Sequence, residues 1–322
     1  MHKERYELLC DDRQLFGKLK TSIYLGGTEL YPTTGDFVTV QNNPGGDSTI
    51  LQTHPRKSFF SRLDPDKTRP REQAVAANFD TVFLMASLNH DFNLRRMERY
   101  LALSWQSGAL PVIILTKADL VADYQAQIRA LEKIAGGAEI FAVSAVTGQG
   151  LDALDKYMKP GNTVVFLGSS GVGKSSLVNA LLGEELMAVN VTRHVDASKG
   201  RHTTTHRQLI TLPGGAMIID TPGMRELGMW GADAGLSEAF SDVESYGGRC
   251  KFSDCRHQGE PGCAVRAAME SGELPEERWE SYLKLKRELD YVDNKTAFLQ
   301  KKSEQNKAIS QWSKRIKKER NR

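Results

Sequence analysis

Long hydrophobic runs are missing from this chain. No apolar stretch in its 322 residues comes near the ~20 that a bilayer-spanning helix needs. The first residues, Met1-His-Lys-Glu-Arg-Tyr6, have no apolar signal core behind them. The expectation is a cytoplasmic protein with no membrane partner. A charge excess is missing too: 43 Lys and Arg against 40 Asp and Glu leave +3, so no global field argues for nucleic acid. Cysteine is scarce. Four residues are too few for a disulfide scaffold, and three of them cluster with a histidine. Cys10 stands alone, where the expectation is a small apolar packing residue. Internal repeats and low-complexity tracts are absent. What remains is an ordinary globular composition, 40% hydrophobic and 26% charged, at a length that fits two or three domains.

Residues 1–65 carry short segments with alternation and β-branched content: Arg5–Cys10, Phe16–Tyr24, Gly35–Val40 and Ser48–Thr53. Gly26-Gly27, Pro32 and Asn43-Pro-Gly-Gly46 punctuate them, which predicts a small β-barrel. Arg56, Lys57, Arg62, Lys67, Arg69 and Arg71 then read as a basic, Pro-containing linker. From 66 to 235 apolar strands alternate with helices. Strands are expected at 81–86, 111–115, 139–144, 163–167, 208–212 and 216–220, and helices at 93–107, 121–135, 149–158 and 175–183. That alternation predicts an α/β domain, a mostly parallel sheet with helices on both faces. Residues 236–322 read as helices around the Cys/His cluster, with long charged helices at 275–290 and 296–318. The tail Ser313–Arg322 holds six basic residues against one acidic, a pattern that suits phosphate-backbone contact.

The most informative run is Gly168-Ser169-Ser170-Gly171-Val172-Gly173-Lys174-Ser175, a G-x-x-x-x-G-K-S loop between an expected strand and an expected helix. Glycines let backbone N–H groups converge on phosphate oxygens at a helix N-terminus. Lys174 suits the β- and γ-phosphates, and the Ser175 hydroxyl suits Mg²⁺. Three strand-end motifs join it. Asp220-Thr-Pro-Gly223 has the D-x-x-G form, in which Asp220 holds Mg²⁺ through water and the Gly223 N–H meets the γ-phosphate. Thr116-Lys117-Ala118-Asp119 has the [NT]-K-x-D form, whose carboxylate accepts the N1–H and N2–H donors of guanine. Adenine offers no such pair. Ser144-Ala145 fits a loop whose N–H meets guanine O6. The guanine motifs precede the phosphate loop, the reverse of the usual order, so the sequence predicts a circularly permuted GTPase domain. The polar segment Gly200–Thr205 fits a switch loop with a threonine for Mg²⁺. Met224 stands where many GTPases carry a water-orienting glutamine. Slow intrinsic hydrolysis follows, with His202 or a partner supplying the missing group.

Cys250-x₄-Cys255-x-His257-x₅-Cys263 offers three thiolates and one imidazole within fourteen residues. A closed Cys₃His set suits one structural Zn²⁺. Together with the motif order, Gly200–Thr205, Arg56–Arg62, Asp91-Phe-Asn-Leu-Arg-Arg96 and this spacing, the chain resembles the ribosome small-subunit-dependent GTPase A family over nearly its whole length. The resemblance implies an OB-fold at the N-terminus, a permuted P-loop GTPase domain and a C-terminal helical zinc module. It implies GTP/GDP and Mg²⁺ as ligands. It implies a bacterial factor that binds the immature small ribosomal subunit and its rRNA, and hydrolyses GTP there under stimulation by the subunit. Other assembly factors are implied partners, and the chain is expected to be a monomer. Carried over by position, Thr116, Lys117 and Asp119 bind guanine and Gly168 to Ser176 hold the phosphates. Thr204 is the switch threonine, His202 the catalytic candidate, and Cys250, Cys255, His257 and Cys263 the zinc ligands. Thr116 departs from the more general asparagine, a change expected to remove an amide contact near the base. The short stretch before the first expected strand leaves out a basic extension for RNA. Two other readings stand beside this one: an adaptor that holds GTP as a structural ligand, and an ATP-dependent enzyme.

Overall fold

Three apolar runs are buried throughout apart from the exposed Leu110 at the start of the second: Thr81–Ser87 (β7), Leu110–Thr116 (β8) and Thr163–Gly168 (β10). Runs of that kind form strands covered on both faces. In the computed structural model, which describes residues 5–10, 13–20, 31–63, 72–89, 91–183, 208–220, 229, 231–292 and 294, they form the centre of one sheet. Glu139–Ala142 (β9), Gln208–Thr211 (β11) and Met217–Asp220 (β12) complete it in the order β11-β12-β10-β7-β8-β9. All neighbours are parallel except β11 and β12. Alternate residues supply two cores. Val82, Leu84, Ile113, Leu115, Val165 and Leu167 face one side; Phe83, Met85, Val112, Ile114, Val164 and Phe166 face the other.

Leu94–Ser107 (α1), capped by Asn93 at one end and Gly108 at the other, covers the first side. Lys174–Leu182 (α3) covers the second. Gln125–Glu132 (α2) is shorter than the helix expected over 121–135. The helix expected over 149–158 is a single 3₁₀ turn at Asp152–Leu154. Gly148 and Gly150 take φ of +79° and +71°, so the segment enters through left-handed turns, and too few residues remain to repay helix nucleation. Leu154 and Tyr157 are nonetheless buried.

The N-terminal segment forms a separate sheet from Arg5–Cys10 (β1), Arg13–Leu19 (β2), Val38–Gln41 (β3) and Ser48–Thr53 (β4), in the order β1-β2-β4-β3, curled as a half-barrel. Gly17 fits tightly there: a Cβ would sit 2.8 Å from Leu8 Cδ1 and 3.2 Å from Ile50 Cγ1. The basic stretch expected to be a linker contains a strand instead. Phe59–Leu63 (β5) pairs antiparallel with Glu72–Ala77 (β6). The Phe60 ring is buried and stacks on Phe79 at 4.8 Å, an apolar gain that the flanking charges hide in the sequence. Arg56 closes on the buried Asp36 carboxylate through two N–H groups at 2.7 and 2.6 Å.

The C-terminal region packs Asp233–Ala239 (α4), Ser241–Gly247 (α5), Ala264–Ser271 (α6) and a helix over 276–292 (α7). Leu236, Phe240, Val265 and Leu285 belong to the same core as α1 and the sheet, so the 235/236 division expected from sequence falls inside α4. At Gly235 a Cβ would lie 2.1 Å from Ala102 O, so α4 crosses α1 backbone to backbone. Arg278 of α7 is buried. It donates to Glu98 Oε1 of α1 at 2.8 Å, to Asp242 Oδ1 at 2.9 Å and to Ala239 O at 2.6 Å. The helix expected over 296–318 lies outside the described residues.

Candidate nucleotide site and metal centre

In an open parallel sheet the carboxyl ends of the strands open into one crevice, where ligands bind. Four of the sequence motifs sit at such ends here: Thr116 at the end of β8, Ser144 just after β9, Gly168 at the end of β10 and Asp220 at the end of β12. The swapped chain order is therefore no obstacle, because the sheet sorts the segments by strand position and not by sequence.

The phosphate loop is shaped by two left-handed glycines, Gly171 at φ +75° and Gly173 at φ +104°. Gly168 lies tight, with a Cβ position only 3.0 Å from both Met85 Cβ and Val172 Cγ1. Ser169 is buried, while Ser170 and Gly171 are exposed at the loop tip. Lys174 Nζ donates to Gly168 O at 3.0 Å, bridging the loop from the first residue of α3. Ser175 and Ser176 follow in the first helical turn, where backbone N–H groups have no intrahelical partner.

The guanine motif is tied to that loop by two bonds. Thr116 Oγ1 donates to Val172 O at 2.5 Å, and Lys117 Nζ donates to Gly171 O at 2.9 Å. Thr116 is buried and its hydroxyl serves the loop. Lys117 takes φ +61°, turning the chain so that Asp119 is exposed. Ala118 N donates to Val143 O at 3.1 Å, which joins this turn to the Ser144-Ala145 loop. There the Ser144 hydroxyl accepts from the N–H groups of Val146 and Thr147, both at 3.2 Å. Burial pushes the Asp220 carboxyl above its ordinary range, and Lys174 pulls it partly back. His202, Thr204, Gly223 and Met224 lie outside the described residues.

Sulfur and nitrogen atoms of Cys250, Cys255, His257 and Cys263 lie within 4.8 Å of one another. His257 Nδ1 is 3.5 Å from Cys250 Sγ and 3.4 Å from Cys263 Sγ. A tetrahedral zinc with its usual bond lengths spans about 3.5 Å between sulfur and nitrogen, so the four groups fit that ion with Nδ1 as the histidine ligand. His257 takes φ +61° to enter the set, and Trp279 of α7 seats its ring edge-on at 5.3 Å. Sequence reasoning missed Glu260. Its carboxylate accepts from the N–H groups of Arg256, Gln258 and Gly259 at 2.8–3.0 Å. Those donors and its own N–H hold its pKa at about 2. A single glutamate in a polar loop carries no sequence signal for this role.

Comparison with known proteins places these features in a lineage. A sequence model of the RsgA GTPase family matches residues 53–230. A protein of Listeria monocytogenes named small ribosomal subunit biogenesis GTPase RsgA 2 is 46% identical over 92% of this chain and 83% of its own. A Streptomyces avermitilis protein named small ribosomal subunit biogenesis GTPase RsgA is 49% identical over 82% of this chain and 71% of its own. The crystal structure of YjeQ from Thermotoga maritima superposes with a TM-score of 0.62 at 28% identity, covering 89% of this chain and 95% of that one. YloQ, described as a circularly permuted GTPase, shares the fold at a TM-score of 0.58 and 23% identity, covering 89% and 92%.

Proposed function

Because this chain belongs to the RsgA GTPase family, we propose that it binds the small ribosomal subunit and hydrolyses GTP there during late maturation, with the subunit stimulating turnover. The observation that carries the nucleotide part is the pair of bonds joining the guanine motif to the phosphate loop, from Thr116 to Val172 and from Lys117 to Gly171. They join the two motifs at one crevice from segments some fifty residues apart in the chain, which supports base and phosphate binding at one site.

In this reading Gly168 to Ser176 cradle the phosphates through backbone N–H groups and Lys174. Asp119 selects guanine, with Thr116, Lys117, Ala118, Ser144 and Ala145 lining the base. Ser175 and Thr204 would hold Mg²⁺, with Asp220 reaching it through water; the ion would supply charge neutralisation at the phosphates, and Gly223 would meet the γ-phosphate. His202 orients the attacking water. Cys250, Cys255, His257 and Cys263 hold one zinc that ties the loop between α5 and α6. The working parts are the N-terminal region over 1–65, the permuted domain over 66–235 and the zinc-bearing region over 236–322, the last two sharing one core across α4. The first and last supply contacts to rRNA. The protein acts as a monomer in the cytoplasm; among the described residues no helix is long and apolar enough to cross a membrane. Family membership favours a hydrolase over the adaptor alternative.

GTP turnover measured with and without purified small subunits tests the proposal. Several-fold or greater acceleration by the subunit supports it; equal rates remove the ribosomal role. Asp119→Asn tests base selection separately. It replaces an acceptor by a donor opposite guanine N2–H, and GTP affinity should fall about a hundredfold or more while ATP affinity stays put.

A further inference from the structure

Asp91 has no part in the nucleotide chemistry above, yet its carboxylate reaches the phosphate loop. Ser169, the second residue of that loop, donates its hydroxyl proton to Asp91 Oδ2. On the other side Arg96 Nη2 donates to Asp91 Oδ1 at 2.7 Å and to the Asp91 carbonyl at 2.6 Å. A carboxylate beside an anion-binding loop opposes phosphate by simple Coulomb repulsion. It is tolerable only when neutralised, and Arg96 supplies the opposite charge from the first turn of α1. Arg96 is itself placed by the Asn93 cap, whose side chain accepts the Arg96 N–H at 3.0 Å. Further along α1, Glu98 and Arg99 are gripped by Arg278 and Glu288 of α7. The support behind Asp91 is therefore a packed helix and not a mobile side chain.

The consequence falls on Ser169. A buried hydroxyl that spends its proton on Asp91 has one rotamer, and the backbone on either side of it is fixed with it. Residues 169–171 carry N–H groups that have to point into the loop together, because a phosphate needs several donors at once. The loop is rich in glycine, whose free backbone gives it no stiffness of its own. Thr116 and Lys117 anchor it at Val172 and Gly171. Nothing in that pair restrains the strand-side half around Ser169.

We propose that Asp91 is a positioning residue for the phosphate loop, holding Ser169 in the geometry that binds nucleotide phosphates, and that Arg96 orients Asp91 for this task. This rests on the nucleotide reading above.

The test is the affinity of a fluorescent GDP analogue and of GTP for the full-length protein, alongside the melting temperature without nucleotide. Asp91→Ala is expected to weaken both nucleotides about tenfold or more, the scale of a charge-assisted hydrogen bond, and to leave the nucleotide-free melting temperature within a few degrees. Ser169→Ala should lose a similar factor, and the double variant should lose no more than either single change. Asp91→Asn keeps an oxygen that accepts the Ser169 proton and should recover most of the affinity. Arg96→Ala should weaken binding in the presence of Asp91 and do nothing further in its absence. Full affinity in Asp91→Ala, or losses that simply add in the double variant, overturns the proposal. If Asp91→Ala does not fold, Ser169→Ala and Asp91→Asn carry the same decision. Wild-type protein that binds neither nucleotide overturns this proposal together with the reading it rests on. Wild-type binding with an unaffected Asp91→Ala overturns this one alone.

Discussion

At the scale of single residues, the site shows polar groups doing structural tasks that their motif names conceal. Thr116 sits in a base-recognition motif, but its buried hydroxyl closes on Val172 O at 2.5 Å. Thr116→Val keeps the shape and leaves that carbonyl without its donor. Denaturant unfolding should show a loss of about 1–3 kcal/mol, with nucleotide affinity falling as the loop loosens. Asp220 is the opposite case, a group whose burial serves binding at the expense of the empty fold. Its folded pKa stands above the ordinary 3.8, so the folded chain holds a proton there that the unfolded chain releases. Stability from this group is thus fullest at low pH and falls as pH rises through the raised value. Asp220→Asn should raise the melting temperature of nucleotide-free protein at neutral pH. The gain should vanish below about pH 4, where the native carboxyl is protonated as well. The same variant should lose Mg²⁺-dependent GTP binding, and a melting curve with no pH-dependent gain would count against the burial argument.

At the scale of elements, α1 and α7 are joined by a buried ion pair. Arg278 and Glu98 have side chains 6% and 5% exposed, and Ser281 donates to the second Glu98 oxygen. The guanidinium also lies 4.0 Å over the Phe240 ring. A buried pair that loses one member leaves an uncompensated charge in a dry place. Arg278→Ala should destabilise the fold by about 3–5 kcal/mol in urea titration. Arg278→Ala with Glu98→Leu should recover part of that loss, because the second change removes the stranded charge. The neighbouring Arg95–Glu280 pair is more than half exposed on both sides, and its removal should pass almost unnoticed. Nothing in the sequence distinguishes these arginines. Burial alone does, and burial is a property of helix packing.

At the scale of the whole molecule, the proposed zinc would tie the loop that connects the C-terminal helices. Polar residues dominate between α5 and α6, and Lys251, Phe252 and Asp254 are exposed. Cys263 is buried in the main core and Cys250 and Cys255 pack against it, but the loop between them is polar and exposed, and without an ion three thiols and an imidazole crowd together there. Zinc removal by a strong chelator should lower the melting temperature and open residues 250–263 to protease, and added zinc should reverse both. Acidification should have the same effect, since thiolate and neutral imidazole are the ligating forms. Resistance of the chelated protein to protease in that loop would show that α6 and α7 hold it without metal.

The division between what was legible in the chain and what was not follows the range of the forces involved. Local chemistry can be read directly. The Gly-rich loop, the strand-end carboxylates and the Cys/His spacing are short segments whose proposed ligands would constrain their spacing along the chain itself. The burial of β7, β10 and Pro111–Thr116 of β8 is likewise written as apolar runs. The swapped motif order was visible too, since order is a property of sequence. The packing between segments far apart was not. The turn at 152–154, the strand at 59–63 and the single core shared by the sheet and α4–α7 depend on which surfaces meet. So do the grip of Arg278 on Glu98 and the reach of Asp91 to Ser169. A charged residue in one segment carries no mark of its partner 78 or 180 positions away. Only the three-dimensional arrangement selects that partner, because desolvation and Coulomb attraction act through space and take no account of chain distance.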